Sequence, residues 1–166
     1  MVTPTPYRLL PAARRVALIA RAMKTSRDLR SAFVQRMVAR GGGFRAATLL
    51  SWPVEKLSRE IVRMNAENAD DELTLLNLLY VEFEPAIQVT FLDVAGVPHD
   101  GGKLADDLPA PYAAADAVVR AAQAVCDQHG DDGRHYLATI ARYNREAWPG
   151  LDAFLAALEP AGGHSG

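Results

Sequence analysis

The sequence predicts an all-α fold, a single-domain bundle of about six to seven helices around a central hydrophobic helix bent near Pro85. Three observations predict it. Asp70 to Gly96 carries the densest apolar content of the chain, with Leu76, Leu79, Tyr80, Phe83, Ile87, Phe91 and Val94 recurring at spacings of three and four. Segments on both sides repeat such stripes. Proline or a small polar residue stands where the stripes begin, and glycine where several of them stop, as helix ends favour.

The elements follow in order. Residues 1–6 hold Pro4 and Pro6 and read as a loose lead. From Pro11 to Lys24, Val16, Ile19, Ala20 and Met23 share one helical face, and Arg14, Arg15, Arg21 and Lys24 the other. Thr25 or Ser26 caps a second helix that runs to about Arg40, with Leu29, Phe33, Met37 and Val38 inward, and Gly41, Gly42 and Gly43 end it. Phe44 to Leu50 reads as a short helix. Ser51, Trp52 and Pro53 read as the cap and first turn of a helix to about Ala66, striped by Val54, Leu57, Ile61 and Met64.

Two periods compete in the central stretch. Val81, Phe83, Ile87, Val89 and Phe91 alternate with Glu82, Glu84, Gln88 and Thr90, which is also the period of a strand. Helix is favoured by the acceptors and charge at Asn68, Asp70, Asp71 and Glu72, by a length beyond that of ordinary strands, and by Gly96 with Pro98 at the far end. Val97 to Pro111 is then a loop rich in Gly, Pro and Asp. Tyr112 to His129 is an alanine-heavy helix ended by Gly130. Asp131 or Asp132 caps another through Ala147, with Tyr136, Leu137, Ile140 and Tyr143 inward. Leu151 to Leu158 is a last short helix. One domain over 1–159 and a disordered tail over 160–166 complete the plan.

Composition bounds the function. An apolar share of 49% and a charged share of 23% belong to a soluble globular chain of 166 residues. No uncharged run approaches the length of a membrane span, and residues 1–11 lack a secretory pattern. The single cysteine, Cys126, excludes an internal disulfide framework, reads as a small core residue and makes a cytoplasmic home the expectation. The net charge of −2 conceals a division. Residues 1–45 carry ten basic groups and one acid, about +9, and the remainder eight basic and nineteen acidic groups, about −11.

The basic segment supplies the first candidate site. Arg14, Arg15, Arg21, Lys24, Arg27, Arg30 and Arg36 form a basic face suited to phosphates or to an acidic protein. The competing account of the same charges is internal pairing with the acidic remainder. No helix-turn-helix spacing follows, and Tyr7, Phe33 and Phe44 do not cluster for base stacking, so a protein partner is favoured over nucleic acid. An amphipathic first helix would also suit an anionic lipid surface, and an Arg-rich, acid-poor start has the composition of a transit peptide. The stripe of Phe33, Met37 and Val38 argues instead for a folded segment.

A second, polar set comprises Glu82, Glu84, His99, Asp100, His129, Asp131 and His135. His129, Asp131, Asp132 and His135 fall within HGDDGRH, but the spacing crosses a helix boundary and lacks the one-face geometry of HExxH. A polar capping turn accounts for it, and no metal or cofactor is expected. His99 with Asp100 is an acid/base pair without a nucleophile at a recognisable spacing. On a helix Glu82 and Glu84 point about 200° apart, so one is expected to be shielded and to take an arginine from the basic helices. Gly96 to Lys103 departs from a phosphate loop in its length before the lysine, and Leu104 replaces the required hydroxyl. The alanines of residues 112–129 make a slender helix suited to close approach inside the fold or across a homodimer. The expectation is therefore a non-enzymatic binding protein that contacts a macromolecule through the basic helix pair. The alternative is an enzyme or small-ligand protein built on Glu82, Glu84, His99, Asp100 and His135.

Overall fold

A computed structural model describes residues 2–159 of the chain; Met1 and the tail expected to be disordered, 160–166, lie outside the described residues. Helices account for the regular structure: among the described residues there is no strand, only an isolated bridge pairing Asp100 with Lys103. The all-α expectation is what the chain adopts. The chain divides between Leu79 and Tyr80 into two compact helical units.

The N-terminal unit begins with a turn that the sequence does not announce. Thr5 accepts a hydrogen bond from the Arg8 amide and caps α1 (Pro6–Leu9), which buries Pro6 and Tyr7. The residues assigned to a loose lead thus include an ordered cap. α2 (Ala12–Thr25) starts after Pro11 and buries Leu18, Ile19, Ala20, Ala22 and Met23. Ser26 Oγ accepts from Leu29 N at 3.2 Å and caps α3 (Arg27–Ala39), whose Phe33, Val34 and Met37 are buried. Gly41 and Gly43 then adopt positive φ, a conformation that a Cβ disfavours. α4 (Ala46–Ser51) and α5 (Val54–Arg63) follow. Ser51 is not the cap expected of it: its hydroxyl donates back to Thr48 O, and Pro53 occupies the N-cap of α5. α5 packs on α2 through Leu57 and Ile61, and ends three residues before the expected boundary at Ala66. α6 (Ala69–Asn77) opens with a capping box in which Asn68 and Asp71 exchange side-chain-to-backbone bonds of 2.8 and 2.9 Å.

The central stretch is helical but not one helix. After α6, residues Leu78–Phe83 form a π-turn, and the chain breaks at Glu84 before restarting behind Pro85 as α7 (Ala86–Ala95). Gly96 closes α7 in the left-handed conformation at φ 74°. A π-turn inserts residues relative to the 3.6 period, so an apolar stripe extrapolated through it drifts out of phase. The inward face of α7 is Ile87, Phe91, Leu92 and Ala95; Ile87 and Phe91 are where the stripe puts them, while Val94, three residues after Phe91, is exposed.

In the C-terminal unit α7 packs along α8 (Ala115–Tyr143), and α8 against α9 (Leu151–Leu158). α8 is two helices joined at Gly130, whose φ of 56° and ψ of −131° are not helical. The break falls where the sequence places it, but the second half stops at Tyr143, and a 3₁₀ turn, Arg145–Ala147, replaces its expected last turn. Rings form a continuous chain. Tyr80 meets Tyr136, Tyr136 meets Phe91, Phe91 meets Trp148 and Trp148 meets Tyr112, each edge-to-face with centroids 4.8–5.8 Å apart. Ala121 and Ala122 are fully buried, so part of the alanine-rich face serves the interior of the fold.

Candidate functional site

The arginines of the N-terminal unit divide into two groups once their partners are known. Arg8, Arg15 and Arg36 face buried carboxylates. Arg36 pairs with Asp71 and also donates to Ala66 O at 3.0 Å. Arg8 Nε bonds Glu72 Oε1 at 2.5 Å, while its Nη2 donates to Glu67 O at 3.1 Å. Glu67 is the most enclosed of these acids: its Oε2 accepts the Tyr7 hydroxyl at 2.6 Å, with Arg8 Nη1 at 3.7 Å and Arg15 Nη1 at 3.9 Å. Its Oε1 is buried and finds no hydrogen-bond partner among the described residues. Burial first, and then the bond to Glu67, hold the Tyr7 phenol above its ordinary range, so the hydroxyl is a fixed donor.

Of the seven residues of the basic face, Arg15 and Arg36 therefore hold the unit together. Arg30 donates to the carbonyls of Leu50 and Trp52 and fastens the turn after α4. Arg14 and Arg21 are also engaged. Lys24 reaches Glu55 at 2.7 Å on the surface, where the bond holds the Glu55 carboxyl below the usual carboxylate range, and Arg27 is exposed. The carboxylates that Arg8, Arg15 and Arg36 meet are Glu67, Asp71 and Glu72. Sequence reasoning missed them as partners, although Asp71 and Glu72 are legible as the acidic first turn of a helix.

The polar set of the C-terminal unit is distributed over separate local pairings. Glu82 and Glu84 are both exposed, which corrects the expectation that one is shielded against an arginine; Glu82 pairs with Lys103 at 3.1 Å. Asp100 and Lys103 close a tight turn by backbone bonds of 2.9 and 3.0 Å. His99 fastens that turn to α7. The Gly102 amide donates to its Nδ1 at 2.9 Å, so Nε2 carries the proton and donates to Asp93 Oδ1 at 2.6 Å. His129 Nε2 lies 3.1 Å from Thr90 Oγ1, and His135 Nδ1 meets the Tyr80 hydroxyl. Asp131 is exposed on α8 just after Gly130. The structure thus joins Glu82 to the loop that bears His99 and Asp100, and sets His129 and His135 on other partners. Among the described residues no three His, Cys, Asp or Glu side chains are grouped to hold a metal ion, and no single helix is long and apolar enough to cross a membrane.

The division of charge follows the division of the chain. Residues 1–79 carry thirteen basic and seven acidic residues, a net of +6, and residues 80–166 carry five and thirteen, a net of −8. No protein-family model matches the chain, and the comparisons find no similar curated protein and no similar solved structure.

Proposed function

We propose that this chain is a non-enzymatic helical binding protein that engages the acidic surface of a partner protein through exposed cations of its N-terminal unit. The observation that carries the reading is what remains after internal pairing. Setting Arg8, Arg15 and Arg36 against Glu67, Asp71 and Glu72 leaves ten basic residues facing four acidic ones, so the whole surplus of +6 lies outside the buried network. The Lys24–Glu55 bond joins the ends of α2 and α5, and Arg59 stands one turn along α5 from Glu55. Lys24, Arg27 and Arg59, all exposed, are the centre of the proposed contact. Ion pairs at such exposure contribute little to stability, so Lys24 exchanges Glu55 for a partner's carboxylate at small cost.

An acidic protein is favoured over nucleic acid because the rings of this unit are occupied. Tyr7 and Phe33 are fully buried, and Phe44 packs edge-on against Trp52 with centroids 5.3 Å apart. The test is retention on immobilised polyglutamate beside a DNA duplex and a single strand, from low to high salt. The reading expects retention on polyglutamate that fades with salt and is lost in the triple variant Lys24→Glu, Arg27→Glu, Arg59→Glu, which brings the unit from +6 to zero. Retention on the nucleic acids but not on polyglutamate would replace the partner class. No retention on any of the three at low salt would overturn the binding surface itself.

A further inference from the structure

The C-terminal unit is acidic, yet two of its five cations stand together. Arg142, in the last turn of α8, and Arg145, in the 3₁₀ turn that follows, both line a cleft of about 360 Å³ and an adjoining one of about 490 Å³. The remaining cations are engaged elsewhere: Lys103 with Glu82, Arg120 with Asp116, and Arg134 with Cys126. Among the described residues Arg142 has no ion-pair partner. Arg145 bonds Asp152 through its Nε.

The wall between these arginines is fixed. The Tyr112 amide donates to Ala147 O at 3.0 Å, and the Tyr112 ring stands edge-on to the buried Trp148 at 5.2 Å. Glu146 closes one side of the first cleft, and Leu155 gives the second an apolar flank. Cleft volumes of this size accept small molecules. The charges choose the class. The first cleft is lined by Arg142, Arg145 and Glu146, and Arg145 is already bonded to Asp152, so Arg142 and Glu146 are the charges left for a ligand there, one of each sign. A simple anion would face the Glu146 carboxylate and the negative end of α8. A zwitterion places a carboxylate on the arginine forks and an ammonium against Glu146 with no net charge to neutralise.

We propose that the Arg142–Arg145 cleft binds a small zwitterionic ligand of the amino-acid class, with Arg142 receiving the carboxylate, Glu146 the ammonium and the Tyr112 ring the side chain. The site lies in the other unit from the proposed partner surface and does not depend on it. Calorimetric titration of the full chain with glycine, leucine, phenylalanine and glutamate, each beside its N-acetyl and its amide form, tests it. At least one free amino acid is expected to bind saturably up to ~10 mM, the range of weak but specific ligands, and its two blocked forms at least about tenfold more weakly. Arg142→Ala is expected to weaken binding at least about tenfold, Arg142→Lys less, and Arg120→Ala not at all. Arg142 is exposed, so the helical circular dichroism of its variants should match that of the parent. Absence of saturable binding, equal binding of the blocked forms, or binding indifferent to Arg142→Ala would each overturn the proposal.

Discussion

Tyr7→Phe removes one oxygen atom and tests the account of the buried network directly. The ring stays, fully enclosed, and only the 2.6 Å bond to Glu67 is lost. A hydrogen bond to a charged acceptor contributes about 1.5–3 kcal/mol. The loss is uncushioned on one side, because Glu67 Oε1 already lacks a partner, and cushioned on the other by Arg8 at 3.7 Å and Arg15 at 3.9 Å. The expected destabilisation is therefore about 2 kcal/mol, or about 4–8 °C in Tm for a chain of this size. Urea unfolding reads it cleanly in a Trp148→Phe background, where Trp52 alone reports the N-terminal unit. Glu67→Gln keeps an acceptor but no charge, so there Tyr7→Phe should cost only about 1 kcal/mol, and the difference is the coupling. The pH dependence has a definite sign. The folded state holds the Tyr7 proton above the ordinary tyrosine range, so its contribution is complete below about pH 10 and falls as pH rises and the unfolded chain ionises. Tyr7→Phe should flatten part of that alkaline loss, with Tyr136, held up by burial, supplying another part. A destabilisation under about 0.5 kcal/mol, or the same cost in the Glu67→Gln background, would refute the assignment of the Glu67 carboxylate as the acceptor that holds Tyr7.

Two further outcomes follow from the C-terminal unit. A Cβ at Gly133 would stand 2.6 Å from Val125 O and 2.8 Å from Val125 Cγ1, so Gly133→Ala should lower stability by about 1–3 kcal/mol in thermal unfolding, and an unchanged Tm would mean that α8 does not close on itself there. Burial raises the Cys126 thiol against the opposing pull of Arg134, so at pH 8 its reaction with a disulfide reagent should be slower than that of a free cysteine and should slow further in Arg134→Ala; a faster rate would contradict the assigned environment.

What the sequence made legible was punctuation. Ser26, the three glycines at 41–43, Asn68, Gly96 and Gly130 act on backbone groups within four residues of themselves, so their effect needs no knowledge of the fold. The central stretch resisted for a local reason as well: the π-turn at Leu78–Phe83 and the break at Pro85 disturb the one period that distinguishes helix from strand. Pairings were not legible at all. Asp71 reads from sequence as a first-turn acid, and it is one, but nothing local says that Arg36, thirty-five residues earlier, shares it. Glu82 and Glu84 attracted the buried-carboxylate argument because they sit in the apolar centre, whereas Glu67 lies in a polar stretch between helices and is the acid enclosed. His99, His129 and His135 likewise resolve into separate bonds, to Asp93, Thr90 and Tyr80, of which the last two link residues 39 and 55 positions apart.

The basic third of the chain thus carries two kinds of cation, and the difference decides how binding data are to be read. Arg8, Arg15 and Arg36 neutralise carboxylates that are buried, and removing Arg8 or Arg36 takes from Glu72 or Asp71 its cation, at a cost of about 3–5 kcal/mol, whereas Glu67 shares Arg8 and Arg15. Loss of partner binding in such a variant would follow from a damaged unit and would say nothing about contact. Lys24, Arg27 and Arg59 are exposed and repel the rest of a unit that holds a net +6. Reversing them lowers the net charge of the unit but sets like charges against Glu55, two opposing effects that are each small at such exposure, so the triple variant should unfold close to the parent's urea concentration while losing its hold on polyglutamate. A binding surface is marked by that separation of affinity from stability. If both fall together, these residues belong with the first group, and the surplus charge serves the fold rather than a partner.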